Sequence, residues 1–342
     1  MSVVGDLRAE FARSGPIRFD RFMERVLYGE GGFFASSPDR AGLLGDFVTS
    51  VELGPVFGAV LARRLLRWSK GRPHVATPWP NPIRVADVGG GRGTLARQLE
   101  SAGRGGIEAL VVDRAEGGAG VAGLDELPWR PDVVVAHELL DNLPARLLHK
   151  GEAEVRVGFD DAGAPCLFHV PLDSELAAFA ARWPVEGGAG VAPVPTGALA
   201  WSTQVAALDP ALVIVVDYGA DFADLARRED WPVRGYAGQS EVDPIAAPGE
   251  TDVTCDVPFD VVEAALAEHG FRSGRVRQRD WLERNGLEDV VAAAGSADAP
   301  TGLGRLRASE ARTQAAELRD PSGLGDFWVL EATREPHVGG RE

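Results

Sequence analysis

The chain has 342 residues, with 35 Lys and Arg against 51 Asp and Glu, giving a formal net charge of −16. With 45% hydrophobic and 25% charged residues it is neither a disordered nor a fibrous sequence. The acidity argues against a nucleic-acid surface, which needs a basic stripe, and suits a basic partner or peptide better. Cys166 and Cys255 lie far apart, with no His or second Cys at ligand spacing, so neither a metal site nor a disulfide framework is expected. Two free thiols and a charged start from Met1 to Arg13, without an apolar signal region, predict a cytoplasmic protein. The longest apolar run, Ala211 to Val216, is too short to span a bilayer.

Residues 1–82 read as a helical N-terminal cap or lid. Phe19, Phe22, Met23, Val26 and Leu27 share one helical face, as do Leu53, Val56, Phe57, Val60, Leu61 and Leu65. A glycine-rich, aromatic loop from Gly29 to Ser50 separates them, and four prolines between Lys70 and Pro82 mark a linker. From residue 83 the pattern becomes α/β. Strands are predicted over Ile83–Val88, Ala109–Val112, Asp132–Ala136 and Leu212–Val216, with a helix over Thr94–Ser101. Strands alternating with helices imply a Rossmann-like, doubly wound, mainly parallel sheet spanning 83–335. Insertions are expected at about 151–210 and 230–258. The first contains a hairpin, Glu154–Phe159 with Cys166–Val170, around the turn signal Asp160-Asp161-Ala162-Gly163. Phe327–Ala332 is expected to close the sheet as an antiparallel edge, and 336–342 is a tail.

The most informative segment is Asp87-Val88-Gly89-Gly90-Gly91-Arg92-Gly93-Thr94, between a predicted strand and a predicted helix. Glycine permits a sharp turn and a close ligand approach, and the helix start offers unpaired N–H groups. The dinucleotide fingerprint fails at Thr94, and the Lys of a phosphate loop is missing. An acidic residue beside the loop would repel pyrophosphate but suits the ammonium group of S-adenosylmethionine (SAM). Asp113, ending the next strand, is placed to accept ribose hydroxyls. The acidic-x-G-x-G-x-G pattern resembles motif I of class I SAM methyltransferases, with Asp87, Gly89, Gly91, Arg92, Gly93, Thr94 and Asp113 as cofactor-binding candidates. Arg92 is either structural or a contact for the SAM carboxylate.

Two further segments sharpen the resemblance: Gly45-Asp46-Phe47-Val48-Thr49-Ser50-Val51-Glu52, and Ala136-His137-Glu138-Leu139-Leu140-Asp141-Asn142-Leu143-Pro144. Taken singly, the first is a helix cap by Thr49 or Ser50 and the second an acidic helix start. Together with Gly91-Arg92-Gly93-Thr94-Leu95, Asp217-Tyr218-Gly219, Arg234-Gly235-Tyr236, Asp243-Pro244 and Pro248–Thr254, they resemble the MidA family over nearly the whole chain. The chain departs from that family at Val51, His137 and Asn142, where Pro, Asn and Ala are usual, and in Asp87 and Gly89-Gly90-Gly91, where Glu and G-P-G are common. The resemblance implies a SAM-dependent protein-arginine methyltransferase, with symmetric dimethylation and a link to assembly of respiratory complex I. It adds Thr49 and Glu138 to the cofactor contacts and implies a protein substrate with an exposed arginine. No nucleic-acid partner and no membrane span are expected, and some family members pair as homodimers.

A guanidinium stays charged and is a poor nucleophile, so carboxylates must grip it and orient one nitrogen. Glu138 and Asp141 are the first candidates, at the end of a strand that should face the ligand crevice. Asp46 and Glu52 come second, from a segment able to fold over the cofactor. Tyr218 either positions the acceptor or packs at a strand end. Two other readings stand beside this one: a small-molecule methyltransferase with a closed apolar acceptor pocket, and a non-catalytic SAM-binding assembly factor.

Overall fold

The computed structural model describes residues 2–36, 49–70, 82–114, 120–185, 190–238, 240–296 and 301–334. Asp46 lies outside the described residues. The core is a six-stranded sheet of β1 (Ile83–Val88), β2 (Ile107–Val112), β3 (Val133–His137), β4 (Leu212–Asp217), β5 (Arg272–Arg277) and β6 (Trp328–Thr333), in the order β5-β6-β4-β3-β1-β2. The strands β2, β1, β3 and β4 run parallel, while β6 is antiparallel to both β4 and β5.

The parallel strands are near-continuous Val, Ile and Leu runs because both faces are covered. Val85, Val133, Val135, Ile214 and Val216 face one core, beneath the helices Val56–Lys70, Thr94–Gly103 and Gly302–Arg319. Ala86, Val134, Ala136, Val213 and Val215 face the other, beneath Thr196–Ala207 and Phe259–Glu268. Each fully buried Val or Leu stabilises the fold by roughly 1.5–3 kcal/mol. Strand order reverses between β1 and β3, and the crevice outside their C-terminal ends is where such sheets bind ligands.

The last strand is not an edge. β5 lies outside β6, paired from Arg272↔Thr333 to Arg277↔Trp328. Its sequence, Arg-Ser-Gly-Arg-Val-Arg, has no apolar run to announce a strand. Its guanidinium groups instead lie over the neighbouring indole, with Arg275 and Arg277 at 4.9 and 3.7 Å from the Trp328 ring centre. A charged edge also resists pairing with another chain.

Beside the main sheet stands an antiparallel one built from Ile17–Arg18, Ala153–Phe159, Pro165–Pro171, Arg146–His149 and Val191–Val194. The hairpin turns at Asp160–Gly163, where the Gly163 amide donates to the Asp160 carbonyl at 2.9 Å. Part of the N-terminal segment belongs to this sheet. Ile17–Arg18 pairs with Ala153–Phe159, and Leu7, Phe19, Phe22 and Met23 pack in the core beneath it.

That sheet buries an ionic cluster. The Arg146 side chain, 1% exposed, donates to Glu154 at 2.8 Å, Asp173 at 2.6 Å and Glu175 at 3.1 Å. Glu154 is fully buried and is also held by Arg156 at 2.6 Å. Breaking such a cluster strands a buried charge. Arg146→Met should therefore lower stability by about 3 kcal/mol in urea denaturation, Arg156 retaining part of the compensation.

Candidate active site

At the end of β1 the chain turns through Gly89, Gly91 and Gly93, whose φ angles are +74°, +51° and +73°. The turn is closed by the Gly89 amide donating to the Val112 carbonyl and the Gly93 amide to Gly90, both at 2.8 Å. Helix Thr94–Gly103 starts directly after it, its first residue, Thr94, half-buried. Asp113, at the end of β2, accepts the Gly91 amide at 2.8 Å through Oδ2. The glycine turn and the carboxylate at the end of the next strand are thus joined.

Asp87 is folded under the loop and buried, and a Cβ at Gly90 would sit 2.5 Å from its Oδ2. That oxygen has no hydrogen-bond partner among the described residues. Burial, with Asp113 adding repulsion, pushes the Asp87 carboxyl up to about 7. A buried orphan acceptor beneath the turn, open space where a Cβ at Gly91 would stand, and a carboxylate at the next strand end together fit a cationic nucleoside such as SAM. Arg92 is exposed, and its carbonyl accepts from Arg97 at 2.5 Å.

The second half of the site lies after β3. Glu138 is in the left-handed region at φ +49°, where a non-glycine residue is strained by about 1–2 kcal/mol. Its amide still donates to the Val216 carbonyl at 2.8 Å, so the chain turns immediately after a ladder bond. Asp217 holds the next residues in place. Its Oδ2 accepts from the amides of Leu140 and Asp141 at 2.9 and 3.2 Å, and its Oδ1 accepts from Tyr218 at 2.9 Å. The Asp141 carbonyl accepts from Cys255 at 2.8 Å, the Asn142 side chain donates to Asp252 at 2.8 Å, and Tyr28 donates to the Asn142 carbonyl at 3.2 Å. The segment expected to begin a helix is therefore a hydrogen-bonded turn. It touches the cofactor loop directly, since a Cβ at Gly89 would meet Leu139 at 2.7 Å.

The two motif segments meet in one hydrogen bond, from the Ser50 amide to Glu138 Oε1 at 3.2 Å. Thr49 caps a short turn, accepting from Glu52 at 3.3 Å through Oγ1, and the helix begins later, at Val56. Glu52 is half-buried on that turn, with its amide committed to Thr49.

Electrostatically the site is a set of buried carboxylates. Burial, then Asp141, pushes Glu138 up to about 8, and burial pushes Asp141 up to about 6. Asp217 is raised by burial and by Asp141. His137 comes within 3.6 Å of Glu138, but burial holds its imidazole down to about 3, so it is neutral and forms no ion pair. Asp141 Oδ1, the Tyr218 hydroxyl and Thr254 Oγ1 are buried without a hydrogen bond of acceptable geometry, although the phenol lies toward both of the others. Arg234 stacks on the Tyr218 ring at 5.5 Å and pairs with Asp256 at 2.7 Å.

Glu138, Asp141 and Tyr218 are thus brought together, and the cofactor-loop residues form a second group against them. Tyr28, Asn142, Asp252 and Thr254 complete the surroundings without having been selected from the sequence. Asp252 and Thr254 stood in a motif that marked them, whereas Tyr28, just before the glycine-rich loop, carried no signal of its own. Among the described residues there is no cluster able to hold a metal and no helix long and apolar enough to cross a membrane.

A glycine turn at the switch point, a carboxylate ending the next strand and a seam of acids after β3 define a SAM-dependent methyltransferase of the class I fold. Comparison with known proteins agrees. Residues 121–276 match the family model described as "Putative S-adenosyl-L-methionine-dependent methyltransferase". A protein of Burkholderia thailandensis bound to S-adenosyl-homocysteine is similar in structure, with a TM-score of 0.81 and 29% identity over 97% of this chain and 92% of that one. The mitochondrial protein arginine methyltransferase NDUFAF7 is 25% identical in Xenopus tropicalis, over 80% of this chain and 73% of that protein. The human protein of that name is also 25% identical, over 80% of this chain and 71% of its own length. Over residues 121–276 the chain is therefore similar to the MidA-like family of SAM-dependent methyltransferases. The same relatives overturn the expected cytoplasmic location, because they are mitochondrial proteins. Free thiols point to a reducing compartment, not to the cytoplasm in particular.

Gly91→Val places a β-branched residue at φ +51° and should abolish S-adenosylhomocysteine binding in calorimetry while lowering stability by about 1–2 kcal/mol. A second prediction concerns pH. Glu138 has a folded pKa raised from 4.5 to about 8, so its contribution to stability is fully present below pH 4.5 and is lost as pH rises to about 8. Glu138→Gln removes that loss. Its melting temperature should exceed that of the wild type by several degrees, on the order of 1–3 kcal/mol, at alkaline pH and match it near pH 4.5.

Proposed function

We propose that the protein transfers a methyl group from SAM to an arginine side chain of a protein substrate. The observation carrying this reading is the pair Glu138 and Asp141, buried beside the cofactor loop, with both carboxyls raised by desolvation and that of Glu138 also by Asp141. Such a site disfavours its own ionisation until a cation enters, and a guanidinium is a planar cation with donors to match two carboxylates. The acidic surroundings of Asp217 and Asp252 favour this over a neutral, apolar acceptor. The names of the NDUFAF7 relatives support the same acceptor.

When bound, SAM supplies an electrophilic methyl group on a sulfonium. The chain's part is alignment and proton handling. Asp141 binds guanidinium N–H groups and concentrates charge away from the reacting nitrogen. Glu138 orients that nitrogen toward the glycine turn and takes the proton the nitrogen loses, a role suited to a carboxyl with its pKa near 8. Tyr218 sets the far wall, its ring pinned by Arg234. Asp46 and Glu52 belong to this proposal as secondary contributors from the adjoining segment. The family resemblance extends the reading to symmetric dimethylation, a complex I subunit as client, and a homodimer, which sedimentation velocity would read directly.

The test is methyl transfer to arginine-containing peptides, with the product read by mass spectrometry. Asp141→Asn should lower kcat by about 100-fold or more, with S-adenosylhomocysteine affinity within a few-fold of wild type. If Glu138→Gln and Asp141→Asn both leave transfer intact, the carboxylate grip is wrong.

A further inference from the structure

Beyond its own loop, Glu138 takes a backbone hydrogen bond from the Ser50 amide, so the aim of the carboxylate depends on where the turn from Thr49 to Pro55 is held. Three glutamines from three helices hold it. Gln278, at the start of helix Gln278–Arg284, lies side-on to Ser50, its Nε2 donating to Oγ at 3.1 Å and its Oε1 accepting from Oγ at 3.3 Å. Its backbone amide is tied to the Phe327 carbonyl at 2.7 Å. Gln98, from the helix that begins at the glycine turn, donates to the carbonyls of Val51 and Gly54 at 3.0 and 3.2 Å. Gln314, from helix Gly302–Arg319, accepts the Val56 amide at 3.3 Å.

Two glycines make room for this arrangement. A Cβ at Gly54 would collide with the Gln314 carboxamide, and one at Gly58 would lie 2.5 Å from Gln98. Gly58 stands inside helix Val56–Lys70, where glycine weakens the helix, so its presence is explained by the side chain it admits. Ser50 and Gln278 are both fully buried. A leucine would fill the Gln278 site without the desolvation penalty of a carboxamide, so packing alone does not account for it.

We propose that Gln278, with Gln98 and Gln314, is a carboxamide clamp that positions Glu138 through the Ser50 amide. These are positioning residues for the acceptor carboxylate, and the proposal rests on the role of Glu138 under Proposed function. The clamp also links the two halves of the site, because the helix carrying Gln98 starts at the cofactor loop.

The test is a carbon-13 titration of the Glu138 carboxyl, identified by its loss in Glu138→Gln, alongside the pH profile of kcat/KM. An amide donor favours the ionised carboxyl, so loosening it should raise the midpoint. Gln278→Leu should raise it by about half a pH unit or more and move the acid limb of the profile the same way. Gln98→Leu, at a half-buried site, should do likewise and serves if Gln278→Leu fails to fold. Leu266→Ala, in the core on the opposite face of the sheet, should lose stability without moving the midpoint. An unchanged midpoint in the folded glutamine variants, or an equal shift in Leu266→Ala, overturns the clamp. A shifted midpoint in a protein that methylates no arginine peptide leaves the clamp standing and removes the arginine reading.

Discussion

The architecture of the candidate site hangs on one buried carboxylate. Asp217 ends β4, has no exposed surface and accepts three backbone amides from two separate turns. Those bonds draw the chain after β3 across the end of β4 and fix the backbone of Leu140 and Asp141. They also offset the strain at Glu138, which a free loop would relax. A carboxylate satisfied by main-chain donors can stay buried, but it cannot stop repelling its neighbours. Its own carboxyl is raised by burial and by Asp141 and Glu138, so the device that shapes the turn also gathers acids in a low dielectric.

The same economy runs through the cofactor side. Asp113 stiffens the glycine turn through Gly91 while standing at the strand end where a ribose would be held. Asp87 lies beneath the turn, sealed by Gly90, where a larger residue would collide with it. In both halves, groups suited to a ligand are already engaged in holding backbone. Pre-organisation of this kind is what an alignment-driven reaction asks of a protein.

Much of this was legible in the sequence. The parallel strands were readable because burial on two faces leaves uninterrupted Val and Ile runs, and the glycine turn was readable because few other residues tolerate its angles. Glu138 and Asp141 were singled out by their place after such a strand, where the structure buries both of them beside the glycine turn. Three features were not legible. The β5 strand carries Arg and Gly where a strand pattern needs apolar residues, because its stabilisation comes from the face of Trp328. The turn after β3 has helix-like composition, and partners distant in sequence, Asp217 first among them, divert it. Tyr28 reaches the site from a segment 114 positions away from its partner Asn142, a separation that no local pattern encodes.

The position of β6 has a consequence for how the protein comes into being. This strand, at residues 328–333, is inserted between β4 and β5, and both of those precede it in the chain. Until those residues have been made and have left the ribosome, β4 and β5 each present an open edge, and the hydrophobic faces beneath Leu330 and Val329 lack their partners. The nascent chain therefore carries an unfinished sheet from the emergence of β4 until β6 is added. In that interval the open edges and uncovered apolar faces are the surface most prone to misassociation, and damage to this short stretch is felt across the whole sheet.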